Sequence, residues 1–199
     1  MNEQYLQASE IIDWQNPEVL QLAHKLATGK SEVAAIAKAC FEWVRDEIHH
    51  SCDYQLNPVT CCASDVLKYG TGYCYAKSHL LAALLRANYI PTGFCYQRLS
   101  LYEDGAPYCL HGLNAVFFPE IGWYRIDARG NKDNVNAQFT PPQEQLAFPL
   151  IFAEEFDCKT VFAAPLPIIV SALQAYSTWD ALLNNLPDLQ LAELEKLNQ

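Results

Sequence analysis

Apolar positions change their spacing about halfway along the chain, and that change predicts two kinds of structure in succession. In the first half they recur every three or four residues. Pro17 to Thr28 reads as a helix, with Asn16 as its N-cap, Pro17 at the first position and Gly29 as terminator. Ser31-Glu32 opens a longer helix to about Ile48, with Val33, Ile36, Ala37, Cys40, Phe41 and Val44 on one face. Residues 51–63 are polar and broken by Asn57-Pro58, which predicts a loop. Ala63 to Tyr69 then reads as one short helical turn leading into a bend at Gly70-Thr71-Gly72. The next helix runs from about Cys74 to Asn88 and is stopped by Pro91. It is apolar nearly all round, the pattern of a helix buried at the centre of a domain.

Beyond Pro91 the pattern becomes that of strands. "TGFCYQRLSLY" and "CLHGLNAVFF" are rich in aromatic, β-branched and leucine residues and are joined by the turn-like "EDGAP". "FFPEIGWYRIDA" predicts a second hairpin with Pro119 and Gly122 at its bend. "KTVFAAPLP" predicts a further strand, and Leu173–Leu183 and Leu189–Leu197 two short closing helices separated by Pro187. Helices first and antiparallel strands afterwards define an α+β fold, with N-terminal helices and the cysteine-bearing central helix packed on an antiparallel sheet.

Composition narrows this further. With 199 residues, 51% of them hydrophobic and 18% charged, the chain is expected to form one domain over residues 1–199. A formal net charge of −10 opposes nucleic acid or an anionic membrane as partner. No stretch approaches the roughly 20 apolar residues of a membrane span. The start, "MNEQYLQASEIIDWQNP", lacks the basic residues and apolar run of a signal peptide, so a cytoplasmic location is expected. Oligomeric state has no signature in the composition. The eight cysteines include no C-x-x-C pair. His49, His50, Cys52, Cys61 and Cys62 lie close together, and the reading preferred over a metal cluster is free thiols and histidines at a helix end. No metal or cofactor is expected.

The candidate chemistry begins in "YGTGYCYAKSHLLAALLRA", residues 69–87. Cys74 stands at the first turn of the apolar helix, where unpaired backbone N–H groups and the positive end of the helix dipole favour a thiolate. The competing reading is a small core side chain that happens to be cysteine. A thiol nucleophile needs a base. His79 lies about 140° around the helix axis from Cys74 and points away from it. His24 lies mid-helix, and His49 and His50 complement a helix end. His111 instead opens a strand and is followed by Gly112, which permits close approach. Asp127 closes the same hairpin and would hold the imidazole tautomer. Direct pairing of Phe118 with Trp123 would put His111 and Asp127 on opposite faces, so an odd-length loop or a bulge at Gly122 is predicted.

"GTGYCYAKSHLLAALLRANYIPTGFCY" followed by "LHGLNAVFFPEIGWYRIDARG" resembles the core of the transglutaminase-like superfamily, in a small bacterial-type form. The resemblance covers about residues 33–130 and makes 140–199 an appended part of the same domain. It implies a papain-like α+β fold, a triad of Cys74, His111 and Asp127, and an acyl-transfer enzyme acting on amide bonds through a thioester. Peptidase, amidase or deamidase, and transglutaminase activities all fit, on a protein, peptide or small amide substrate. Where the superfamily more often has Ala-Trp after the histidine and Pro after the aspartate, this chain has Gly112-Leu113 and Ala128. The resemblance also implies a second oxyanion donor from upstream of the cysteine, for which Tyr54 and then Gln55 are the candidates beside the Cys74 backbone N–H. Trp123 is a candidate wall of the site, while Arg129 and Asn131 either orient a substrate or brace the strand end. The alternative from a different class is a binding module that keeps the fold without turnover.

Overall fold

In the computed structural model, which describes residues 2–102 and 104–197, the first expected helix forms as α1 (Pro17–Ala27). Asn16 Oδ1 accepts from the Glu18 backbone N–H at 3.0 Å and Pro17 takes the first position, as the sequence dictates. Helix α2 (Val33–Glu47) buries Ala37, Cys40, Phe41 and Val44. His49 and His50 do not end this helix. They form β1 (His49–His50), two residues paired in parallel with β2 (Thr71–Gly72), where Thr71 Oγ1 donates to the His49 carbonyl at 3.0 Å. Between them, the expected loop carries a one-turn helix, α3 (Ser51–Tyr54), closed by Gln55 in the left-handed region at φ 54°. The short helix α4 (Ala63–Tyr69) stands where predicted.

Every residue of the central helix α5 (Cys74–Ala87) is buried. It packs against α1, α2 and α4 on one side and against the sheet on the other. Lys77 and Arg86 are its only formal charges, and backbone carbonyls take both. Lys77 Nζ donates to the carbonyls of Ile48 and Arg45, so it caps the end of α2 from within the core. Arg86 donates to the carbonyls of Thr92, Gln7 and Ala163, tying three distant segments to the end of α5. Burial lowers the pKa of Lys77 to about 7, with the Arg129 charge adding to the effect.

The four-stranded sheet is antiparallel throughout, in the order β5 (Gly122–Ile126), β4 (Tyr108–Phe118), β3 (Thr92–Ser100), β8 (Phe156–Phe162). Glu103 of the expected Glu103–Pro107 turn lies outside the described residues. Alternate residues of β4 meet α5: Asn114 Nδ2 donates to the Ser78 carbonyl at 3.1 Å, and the Tyr75 hydroxyl to the Leu110 carbonyl. On the opposite face Cys95, Leu113 and Ala115 form a second apolar cluster with Trp123, Leu146 and Val161. A small hairpin, β6 (Gln138–Thr140) and β7 (Gln143–Gln145), is joined to β5 through Arg125 and Glu144 and had no signature in the sequence pattern.

The closing region differs from expectation. Leu173–Leu183 is not one helix but parts of α6 (Pro167–Ala175) and α7 (Trp179–Leu183), followed by α8 (Leu191–Leu197). The chain is extended at Tyr176, and Asn57 Oδ1 accepts from the Trp179 N–H at 2.7 Å. That tertiary bond starts a new helix where local periodicity would have continued the old one. Ile169, Leu173, Leu182 and Leu194 from this region join the core around α5.

Candidate active site

Cys74 is the first residue of α5 and is 7% exposed. The helix begins because Tyr73 is extended and its carbonyl accepts from the Lys77 N–H at 2.9 Å, which leaves the N–H groups of the first turn without acceptors inside the helix. The Tyr73 hydroxyl donates to the Trp179 carbonyl at 2.6 Å and anchors this turn to α7. A glycine sets the distance between the start of α5 and β4. A Cβ at Gly112 would lie 2.9 Å from Tyr75 Cδ1 and 3.3 Å from Tyr75 Cα, so only a residue without a side chain lets the two backbones meet here. His111 is the residue just before Gly112 on the strand.

The hairpin register answers the question of facing. Phe118 pairs with Gly122 and Asn114 with Ile126, around the three-residue loop 119–121, with Gly122 at φ 79°. This odd-length loop puts residues of like parity on one face, and His111 and Asp127 share that face. His111 Nε2 and Asp127 Oδ2 are 2.7 Å apart. Asp127 is fully withdrawn from solvent and accepts two more bonds, from the backbone N–H of Ala147 at 3.0 Å and of Arg129 at 3.1 Å. Burial alone would raise its pKa, but the His111 charge and the three hydrogen bonds hold it below the ordinary carboxylate value. For His111 burial works against the charged ring. The Asp127 carboxylate and the neighbouring Cys74, by charge and by hydrogen bonds, outweigh it and lift the pKa to about 10. With Nε2 given to Asp127, Nδ1 is the ring nitrogen left for the Cys74 sulfur.

A second layer holds these groups. Phe148 stands edge-on to the His111 ring, with centroids 5.1 Å apart, and the Arg129 guanidinium lies 5.6 Å from the Phe148 ring centre. Arg129 also grips both oxygens of Asp53, and Lys132 Nζ adds a third contact at 2.8 Å, so Asp53 is held well below its usual pKa despite partial burial. Arg129 and Asn131 thus brace the segment after β5, the latter through the backbone of Ala137.

The remaining sequence candidates are placed differently. Tyr54 ends α3, is exposed, and stacks on His49 at 4.2 Å between ring centres. Gln55 is the left-handed residue just beyond it. Trp123 packs against Tyr5 and Phe117 near the bend of the hairpin, at the far end of β5 from Asp127. His79 faces away from Cys74, its Nδ1 2.7 Å from the Cys61 carbonyl oxygen. Phe148, Asp53 as the partner of Arg129, and Lys77 were not singled out from sequence, and the sequence marks His50 only as one of the histidines at a helix end. Lys77 did have a signal, as one of two cations in an otherwise apolar helix. His50 is buried, its Nδ1 without a hydrogen bond among the described residues and 3.9 Å from Asp53 Oδ2, which no local pattern announces.

The profile of the transglutaminase-like superfamily matches residues 20–128, more than half of the chain and the whole stretch from Cys74 to Asp127. The chain belongs to that superfamily. Among solved structures it is similar to a candidate cysteine protease from Cytophaga hutchinsonii, at 19% identity and a TM-score of 0.52, over 63% of this chain and 40% of that one. The periplasmic domain of TgpA from Pseudomonas aeruginosa aligns at 22% identity and a TM-score of 0.47, over 64% of this chain and 46% of that one. The matched region is therefore less than half the length of either. No curated protein sequence matches the chain.

Proposed function

We propose that the chain is a thiol-dependent acyl-transfer enzyme acting on amide bonds, with Cys74 as nucleophile, His111 as acid and base, and Asp127 orienting His111. The observation that supports it most is the buried His111–Asp127 bond at 2.7 Å, which leaves Nδ1 of a strongly basic imidazole for the sulfur at the start of α5. Cys74 Sγ attacks the amide carbonyl carbon, and the electron pair moves to the carbonyl oxygen. The imidazolium of His111 gives its proton to the departing nitrogen as the C–N bond breaks, leaving a thioester. Neutral His111 then takes a proton from water or an acceptor amine, which attacks the thioester and releases the thiolate. The Cys74 backbone N–H stabilises the oxyanion, with Tyr54 or Gln55 as second donor. The substrate is a protein, a peptide or a small amide. The location proposed is cytoplasmic, which fractionation of the tagged protein would check.

The decisive measurement is alkylation by iodoacetamide at neutral pH, mapped by mass spectrometry. Cys74 should be modified well before Cys52 and Cys62, and His111→Ala should remove that lead. Equal rates across the three thiols would instead support a binding module without turnover. Incubation with glutamine-containing peptides and trapping of an acyl group on Cys74 then identifies the substrate class.

A further inference from the structure

The face of the sheet that carries His111 also carries a cavity of about 410 Å³, within the range of small-ligand sites. Its floor is polar, built from Gln97, Arg125, Glu144 and Asp157 on four different strands. Its wall is apolar, chiefly Leu146, Phe148 and Leu150. Two contacts connect it to the candidate site. Gln97 is the direct cross-strand partner of His111, so the two side chains leave the sheet on one face. Phe148, which lines the cavity, is the ring standing edge-on to His111.

The floor gathers two carboxylates and a glutamine amide around one guanidinium. Arg125 bonds Glu144 through Nε and Nη2, and Asp157 through Nη1 at 2.5 Å, so one guanidinium sits between two carboxylates. Lys159 reaches Asp157 at 2.5 Å with its side chain 64% exposed, a solvated contact. Gln97 is 3% exposed, and its Oε1 is buried with no hydrogen-bond partner among the described residues. Such an acceptor carries a penalty until a donor arrives. The terminal torsion of a glutamine is broad and two-fold, so rotation of the amide exchanges its oxygen and nitrogen and can present the oxygen to the cavity without moving the strand.

The geometry points to a subsite for a basic side chain, its aliphatic stem along Phe148 and Leu146 and its N–H donors on Gln97 Oε1 and the Glu144 and Asp157 carboxylates. Arginine fits best, because its planar fork engages several oxygens at once and stacks on rings. As the pocket for a residue flanking the amide, the inference rests on the proposed reaction; as a binding site it stands apart from it.

The two are separated by titrating the full Cys74→Ala chain, by NMR, with N-acetyl-arginine amide, N-acetyl-norleucine amide and N-acetyl-glutamate amide. The arginine probe should bind at least tenfold more tightly than norleucine, with glutamate weakest and shifts centred on β3, β5 and β7. Gln97→Leu should remove most of that preference, while Gln97→Glu should increase it, and the second variant reads the site if the first does not fold. Equal affinities, preference for glutamate, or shifts elsewhere would overturn the subsite. Arginine-selective binding in a chain whose Cys74 is unreactive would remove the catalytic reading alone. Turnover of peptides without any preference for a flanking basic residue would remove the subsite alone.

Discussion

Asp127 gains its role from three donors converging on one buried carboxylate, two of them backbone N–H groups that no side-chain substitution removes. Asp127→Asn is therefore expected to keep the fold while reversing the bond to His111, because an amide donates where a carboxylate accepts. The ring proton would then reside on Nδ1, the wrong nitrogen for taking a proton from Cys74, and turnover should fall by up to ~10⁴-fold. The pH profile carries a sign as well. His111 stays protonated up to about pH 10 chiefly because of Asp127, so the alkaline limb of kcat/KM should lie near 10 in the parent. In Asp127→Asn it should move down by units, and an unmoved limb would show that another group controls it. Tyr54→Phe tests the second oxyanion donor: a loss of about 100- to 1,000-fold in kcat assigns the hydroxyl to catalysis. A change below threefold would leave Tyr54 with its ring contact to His49 and pass the role to Gln55. Cys74 and Asp127 could be read as candidates in sequence because each sits at a recognisable punctuation point, a helix start or a strand end, and His111 because a glycine follows it, although it lies three residues inside β4 rather than opening the strand. Phe148 and Ala147 could not, since their part is played through contacts made across the fold.

Elements carry the distances. The start of α5 lies against β4 because Gly112 has no side chain, and an added Cβ would press on Tyr75, one residue after Cys74. Gly112→Ala should therefore destabilise by about 1–3 kcal/mol and separate the sulfur from His111. Denaturant melts and Cys74 alkylation rates check this together; full reactivity in a folded Gly112→Ala chain would rule out the packing argument. The hairpin shows what an element can reveal beforehand. Its parity was derivable from strand geometry once both His111 and Asp127 were required on one face, and the three-residue loop satisfies it. The closing helices show the opposite. Periodicity across 173–183 favours one helix, while Asn57, far away in sequence, ends the matter with one hydrogen bond to Trp179. The two-residue strands β1 and β2 are too short to have any local pattern.

For the molecule as a whole, buried ionisable groups predict how stability depends on pH. Burial lowers the pKa of His79, to about 4, and that of His50. Groups with depressed folded values bind more protons unfolded, so as pH falls from about 6.5 toward 4 these two histidines reduce stability. Below about 4, protonation of Asp127 and Asp157, both held low by ion pairs, reduces it further. On the alkaline side two groups oppose each other. His111, raised to about 10, loses its stabilising contribution between 6.5 and 10, while Lys77, lowered to about 7, stops penalising the fold as pH rises from 7. Tm should therefore be nearly flat from about pH 6.5 to 8.5 and fall steadily below 6.5. Above about 9 it should fall again, because burial pushes the thiols of Cys40, Cys61, Cys95 and Cys109 up to about 12 and they ionise first in the unfolded chain. A maximum at pH 4 to 5 would contradict this account of the buried groups. No helix among the described residues is long and apolar enough to cross a membrane.

Local rules operate over a few residues, and within that range the amino-acid sequence by itself determined the helices α1, α2, α4 and α5 and the strands β3 to β5 in their order, the cap on α1, the buried character of α5 and the residue types at its mouth. Tertiary structure alone decided how far apart those parts stand and which charges are enclosed. Lys77 inside the core, Asp53 in the grip of Arg129, and the polar-floored cavity beside His111 all join segments dozens of residues apart. The reason is physical: periodicity and capping depend on neighbours along the chain, whereas desolvation and charge depend on neighbours in space.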